Sequence, residues 1–328
     1  MAEEEPFSLA SIAKFQKIPI KEFEKQYKNY LSGFNNWKQK DHSEEWMLFE
    51  ENIGEKLSID EVAISNGELF TILTNKASHG KKKALVATVR GTKASDVNNI
   101  LAKIPLEKRN SVKEVTLDMA NSMEAIVKKS FPNAKLVTDR FHVQQLITEA
   151  VQEIRVDLRR QSIKEENEEI KKAKKEKQFY RPEIFKNGDT KKQLLARSRY
   201  LLFKPKSKWN DQQLERSEIL FEKFPILKEA YNLSMMFRAC YENSKTIEQA
   251  KENFKKWHQK VIEKNIDSFI SAAETIHLHE ATILNYFINR STNASAESFN
   301  AKLKGFRSVV RGVRDKKFFL FRVANLFG

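Results

Sequence analysis

Residues 56–76 read KLSIDEVAISNGELFTILTNK, and their pattern decides the architecture. Leu57-Ser58-Ile59-Asp60, continuing to Val62, is a β-type apolar run interrupted by one acid. Ser65-Asn66-Gly67 is a hairpin turn, because Asn-Gly readily takes the positive φ that such turns require. Glu68–Thr74 then alternates as a second strand. Outward from this hairpin, a loop over Asn75–Lys82 contains Gly80, and Ala84–Arg90 reads as a third strand that completes an antiparallel meander. Ala94–Ile104 places Val97, Ile100, Leu101 and Ile104 at helical spacing. Val115–Asp118 is a fourth strand, Ser122–Phe131 a helix and Ala134–Asp139 a fifth strand.

Three antiparallel strands followed by helix-strand-helix-strand is an α/β order in which the fourth strand pairs with the first. That is the topology of an RNase H-like core, a mixed five-stranded sheet with helices. The pairing sets Asp118 beside Asp60 at one end of the sheet. A third acid, Glu297 in STNASAESFNAK, lies one turn into a helix that opens after Ser291, Thr292 and Asn293. Laid across the same end of the sheet, that helix delivers Glu297 to the two aspartates. Three converging carboxylates repel one another and call for cations. Hard oxygen ligands suit Mg²⁺, and two such ions can clamp the attacking and leaving oxygens of a phosphodiester displacement. The alternative for any one acid alone is an ordinary surface residue or helix cap. Glu61 follows Asp60, but alternation sends it to the other face, so it reads as structural.

Asn300 and Lys304 share a helical face with Glu297, three and seven residues on. Asn300 can hydrogen-bond substrate and Lys304 can meet a phosphate, although a solvated lysine is the plainer reading of Lys304. Asp139-Arg140-Phe141-His142 closes the fifth strand. Asp139 and His142 can bind metal or orient one another, and a strand-end cap accounts for them equally well.

The 328-residue chain is 40% hydrophobic, enough for a substantial core. Lys plus Arg number 59 against 44 acids, a net charge of +15 that points to a polyanionic partner, nucleic acid before an anionic membrane surface. No apolar run has transmembrane length, and the acidic start MAEEEP does not read as a signal peptide, so a cytoplasmic, nucleoid-associated protein is expected. A single cysteine, Cys240, excludes an internal disulfide and a Cys-based zinc finger. No P-loop and no serine-hydrolase elbow is present.

The organisation divides into four parts. Residues 1–50 read as helices, with Ser8 capping Leu9–Phe15 and a second helix running from Lys21 through Phe23, Tyr27 and Leu31. They form a candidate helix-turn-helix, with a plain helical hairpin as the alternative. Residues 51–145 are the first part of the core, 146–288 an all-helical insertion, and 289–328 the closing core helices. Within the insertion, Lys164–Lys177 is a solvated, salt-bridged helical stretch. A helix over Lys191–Phe203 bears Arg197 and Arg199, and the basic loop Lys204–Lys208, with Lys206 and Lys208, precedes Trp209. These residues are candidates for gripping DNA, with a base stacked on the indole. The alternative is a core tryptophan beside a solvated basic face.

Four segments carry a resemblance. They are residues 56–76 above, VKEVTLDMANSMEAIVKKSFPNAKLVTDRFHVQQL (112–146), GDTKKQLLARSRYLLFK (188–204) and ILNYFINRSTNASAESFNAKLKGFRSVVRGV (283–313). Together they resemble bacterial insertion-sequence transposases of the DDE type, in the group with an Asp-x-x-His motif after the fifth core strand. The resemblance implies an RNase H-like core interrupted by a helical insertion. It sets the catalytic, metal-binding acids on Asp60, Asp118 and Glu297, the Asp-x-x-His on Asp139 and His142, and the basic residue on Lys304. It further implies two Mg²⁺ ions per site, replaceable by Mn²⁺. The implied partners are double-stranded DNA, both terminal inverted repeats and target, and a homo-oligomer assembled on it. Relatives often carry a larger N-terminal region with a Cys-based zinc motif. Here end recognition is expected from the short helical region or from a separate DNA-binding polypeptide. The expected activity is metal-dependent cleavage and strand transfer at element ends. The alternatives are an inactive DNA-binding derivative that represses, or an RNase H-like nuclease without strand transfer.

Overall fold

The computed structural model describes residues 5–65, 67–310 and 313–328, leaving aside the side chain of Ser65. The MAEEEP start up to residue 4, Asn66 of the expected hairpin turn, and Arg311-Gly312 of the last quoted segment lie outside the described residues. The chain forms two units: one comprises residues up to Asp139 together with Asn289–Gly328, the other Arg140–Ile288.

The first unit is built on a six-stranded mixed sheet. Its strands are β1 (Trp46–Leu48), β2 (Lys56–Ser65), β3 (Glu68–Asn75), β4 (Leu85–Arg90), β5 (Glu114–Leu117) and β6 (Lys135–Thr138), in the order β1-β4-β3-β2-β5-β6. The β2–β3–β4 meander is antiparallel. β5 pairs parallel with β2, and β6 parallel with β5. This is the α/β arrangement expected, with one strand more than the five read from sequence, and it is consistent with an RNase H-like core plus a helical insertion.

Alternation along β2 distributes its side chains to two faces. Leu57 and Ile59 join Leu73, Val86, Val115 and Leu117 in one core cluster, which also takes Val97 and Leu101 of the Ala94–Leu101 helix and Ile126 of the Asn121–Ser130 helix. On the other face Val62, Ile64, Phe70 and Ile72 lie against Phe299, Leu303 and Phe306 of the Ala294–Val309 helix and Phe319 and Leu320 of the Lys316–Phe327 helix. Burial of each such side chain stabilises the unit by roughly 1.5–3 kcal/mol. The second face is apolar only towards the C-terminal end of β2. Ser58 and Asp60 precede Val62 on it, and Ser58 pairs with Thr116 of β5. A polar strip therefore continues the core across β2 and β5.

The expectation that residues 1–50 are helical is corrected at its end. Trp46–Leu48 is a sixth, edge strand, antiparallel to β4, with Met47 fully buried. Three residues are too short to show a period, and pairing with β4 decides their conformation. The Gln39 side chain accepts from the Leu48 N–H at 2.8 Å and donates to the Leu48 carbonyl at 2.9 Å, which covers part of the open edge. Upstream, Leu9–Phe15 and Ile20–Gln26 form two short helices. The Ser8 hydroxyl accepts from the Ser11 N–H at 3.0 Å, a standard N-cap. Leu9 and Tyr27 pack on Phe318, and Arg322 donates to the Phe7 carbonyl at 2.9 Å.

The second unit is helical, with only an isolated bridge between Ile184 and Thr190 among its described residues. It opens with a 36-residue helix, Arg140–Lys175, that contains most of the charged stretch expected to be solvated. Phe237, Phe254 and Trp257 cluster in its core, and the Trp257 indole N–H donates to the Leu233 carbonyl at 2.9 Å. The helix expected over Lys191–Phe203 ends at Arg197. There the Ser198 hydroxyl bonds back to the Leu194 carbonyl at 2.6 Å, a local competitor for the helical pattern.

Candidate active site

The β2–β5 register fixes the two aspartates. Ser58 pairs with Thr116, and Asp60 and Asp118 follow two residues later on each strand. Both therefore emerge from the same face at the same end of the parallel pair. Asp60 is half-buried. Its Oδ1 accepts from the Glu61 N–H at 2.8 Å and its Oδ2 from the Asn300 side-chain amide at 2.7 Å. Asp118 is half-buried, and its Oδ1 accepts from the Ala120 N–H at 2.8 Å, where the chain turns into the Asn121–Ser130 helix.

Glu297 sits in the first turn of Ala294–Val309, where the helix dipole favours a carboxylate. Its side chain is exposed, one turn before Asn300. Two further hydrogen bonds seat this helix. Lys302 donates to the Gly80 carbonyl at 2.8 Å, and Arg307 to the Ala63 carbonyl of β2 at 3.2 Å. Gly80 itself has φ +66°, and a Cβ there would stand 3.0 Å from the Phe299 backbone nitrogen. A glycine is therefore required both by the left-handed backbone and by the close helix. Lys304 is exposed on the same helix.

Asp139, at the end of β6, is buried, and its Oδ1 accepts from the N–H of Asn293, the N-cap residue of the Glu297 helix, at 3.1 Å. One partner of the expected Asp-x-x-His pair thus holds the start of that helix. His142 falls in the other unit, in the first turn of Arg140–Lys175, with its ring edge-on to Phe141 at 5.6 Å.

The donors at this end of the sheet suit a hard divalent cation. They are carboxylate oxygens, and the Asn300 Oδ1 is buried without a hydrogen-bond partner among the described residues. Glu61, set aside by alternation, belongs to the same electrostatic neighbourhood. Burial holds its carboxyl above the ordinary range, and the charges of Asp118 and then Asp60 add to the effect. Strand alternation gives the direction of Cβ, but a glutamate side chain is long enough to bring its charge back towards a strand end. Among the described residues, no three acids, histidines or cysteines lie close enough to hold one ion together.

The basic candidates of the second unit have specific partners. Asp189 is fully buried and takes Arg197 on one oxygen and Arg216, at 2.9 Å, on the other. Arg197 is thus tied to a buried carboxylate. Arg199 lies over the Tyr200 ring at 5.5 Å. Lys206 and Lys208 are exposed in a short 3-10 turn. Trp209 is half-buried; its indole N–H donates to the Leu201 carbonyl at 2.8 Å, and its ring lies 5.3 Å from that of Tyr231. Cys240 is buried, and burial pushes its thiol up to about 12, which makes it unreactive. Among the described residues no helix is long and apolar enough to cross a membrane.

The first unit thus combines a mixed sheet bearing Asp60 and Asp118 on neighbouring strands with a helix, bonded to that sheet, that carries Glu297. The transposase family model DDE_Tnp_ISL3 matches residues 57–323, and the chain belongs to that family of DNA-processing enzymes. No curated protein and no solved structure matches it.

Proposed function

We propose that this transposase cuts DNA at the ends of an insertion sequence and joins the freed 3′-hydroxyl to target DNA. Asp60, Asp118 and Glu297 are its catalytic acids. The observation that carries the reading is the hydrogen bond from Asn300 to Asp60, which ties the helix bearing Glu297 to the strand carrying Asp60. Mg²⁺, or Mn²⁺ in its place, bound by the carboxylates of Asp60 and Asp118 with Glu297 brought to them, would supply the charge that activates the attacking oxygen and stabilises the leaving one.

The chain's own groups orient those acids. The Ala120 N–H fixes one oxygen of Asp118, and Asn300 and the Glu61 N–H fix the two oxygens of Asp60. Asp139 holds the start of the Glu297 helix through the Asn293 N–H. Lys304, exposed on that helix, is the candidate to meet a phosphate. Both steps of the reaction are phosphoryl transfers, so one set of acids serves for each.

Arg199, Lys206 and Lys208 supply part of the contact to duplex DNA, with Trp209 offering a ring face beside them. Arg197 serves mainly to neutralise Asp189. The net charge of +15 is the general attraction that gathers the element ends, the target and a second copy of the chain on DNA.

The decisive experiment incubates the protein with duplex DNA carrying the element end and Mg²⁺, then maps the cut. A nick at the element boundary that leaves a 3′-hydroxyl, followed by its appearance joined to target DNA, supports the reading. Cleavage without regard to the end would make the protein a nuclease. Binding without cleavage would make it a repressor.

A further inference from the structure

Where the chain leaves the helical unit and returns to the sheet, it passes through Asn289, Arg290 and Ser291 before the Glu297 helix begins. Arg290 has φ +51°, a left-handed conformation that costs a non-glycine residue energy and persists only where its surroundings impose it. The residues on either side of it are both held by one buried carboxylate. Glu114, the first residue of β5, is 4% exposed and uses both carboxylate oxygens on the residues that flank Arg290. Its Oε1 accepts from the Ser291 hydroxyl, and its Oε2 from the Asn289 side-chain amide at 3.2 Å. Lys76, in the turn after β3, brings a compensating charge to Oε1 at 3.3 Å and donates to the Thr116 hydroxyl at 2.7 Å.

We propose that Glu114, charge-balanced by Lys76, is a positioning residue for Glu297: it clamps Asn289 and Ser291 and so sets where the catalytic helix starts. The clamp lies on the strand that carries Asp118, four residues upstream and on the same face. One short strand therefore presents one acid of the site and anchors the segment leading to another. Downstream, Asp139 takes the Asn293 N–H and Asn300 reaches Asp60, so the first two turns of the helix are held at three points. Elimination of any slack matters because a catalytic group displaced by about 1 Å can lose on the order of a hundredfold in rate.

The charges agree with this role. Burial alone would raise the Glu114 carboxyl, but the hydrogen bonds from Ser291 and Asn289 and the charge of Lys76 outweigh it and hold it below the ordinary range. Burial pulls the Lys76 ammonium down against the opposing pull of Glu114. A carboxylate sequestered in this way holds its partners more strongly than a neutral amide would.

The proposal rests on the transposase reading only for the cutting assay, so a second readout is independent of it. Hydrogen exchange is measured on the metal-free full chain, comparing wild type with Glu114→Gln, the milder Asn289→Ala and the charge-neutral pair Glu114→Gln with Lys76→Met. Amides at 294–299 should exchange about tenfold faster in all three, the scale of one lost charge-assisted hydrogen bond, while those of β3 and β4 stay unchanged. In the cutting assay, below the melting temperature, Glu114→Gln should lower the rate about tenfold and raise the Mg²⁺ concentration needed, with DNA affinity within about twofold. Unchanged exchange at 294–299 in Asn289→Ala and in the double variant overturns the proposal. So does full recovery of exchange and cutting in the double variant, since Glu114 would then only balance Lys76. Failure of the wild type to cut end DNA sinks the transposition reading, while the exchange result still decides the clamp.

Discussion

The Asn300 side-chain amide donates to Asp60 Oδ2 at 2.7 Å across 240 residues of sequence. The bond joins the last helical pair of the first unit to its first long strand. Asn300 is one turn beyond Glu297 on the same helix, so the contact ties that helix to β2. Sequence placed Asn300 on the face of Glu297 as a residue able to hydrogen-bond substrate; in the structure its amide is bonded to Asp60.

Asp60→Asn, Asp118→Asn and Glu297→Gln should each abolish cutting of element-end DNA and leave binding nearly intact, because carboxylates serve the chemistry while basic residues serve the phosphates. Asn300→Ala should cost about 10–100-fold in cutting through Asp60, with a raised Mg²⁺ requirement. Gel-shift and cleavage assays on the same preparations check this. An active Glu297→Gln protein would remove that residue from the set.

Gly80→Ala should destabilise the first unit by about 1–2 kcal/mol and slow cutting. The added Cβ would meet the Phe299 backbone nitrogen at 3.0 Å, and φ +66° is strained for alanine. Thermal melts measure the first effect. The pairing of Gly80 with the Ala294–Val309 helix is wrong if Gly91→Ala, where no atom stands within 4 Å, slows cutting as much.

Asp189 links pH to the stability of the helical unit. Burial opposes its charge, but the hydrogen bonds from Arg216 and Arg197 prevail and hold its carboxyl below the ordinary range. A depressed carboxyl contributes stability that is fully present above the unfolded-state value, near pH 4, and is lost as pH falls through the folded-state value. Asp189→Asn should therefore lower the melting temperature at neutral pH and flatten its decline in acid. The cost at neutral pH should be about 3 kcal/mol, the scale for breaking a buried pair. A mutant with an unchanged acid slope would show that other carboxylates govern the transition.

Removing Arg199, Lys206 and Lys208 together should weaken end binding and reduce the steepness of its salt dependence by up to about three phosphate contacts. Arg197→Ala should act differently and lower stability, because it uncovers Asp189. Trp209→Ala should also lower the melting temperature, since the indole N–H is bonded to Leu201 and the ring packs on Tyr231. Equal salt slopes for wild type and the triple variant would move the DNA grip elsewhere on the chain.

The sequence by itself determined the elements whose signals are local. Alternation in 56–76 identified β2 and β3, and helix-strand-helix-strand order implied the parallel partner that brings Asp118 beside Asp60. Helical spacing set Asn300 one turn from Glu297. These follow from periods of two and 3.6 residues, which are written in neighbouring positions. Tertiary structure decided what depends on distant partners. Trp46–Leu48 became a strand because β4 offered an edge. Arg197 was taken by Asp189, and Glu61 was drawn into the field of the aspartates. Glu114, an acid with no motif around it, became the clamp on Asn289 and Ser291, 175 and 177 residues away. A buried charge takes whichever partners the packed chain brings within hydrogen-bonding distance, and no local period encodes that choice.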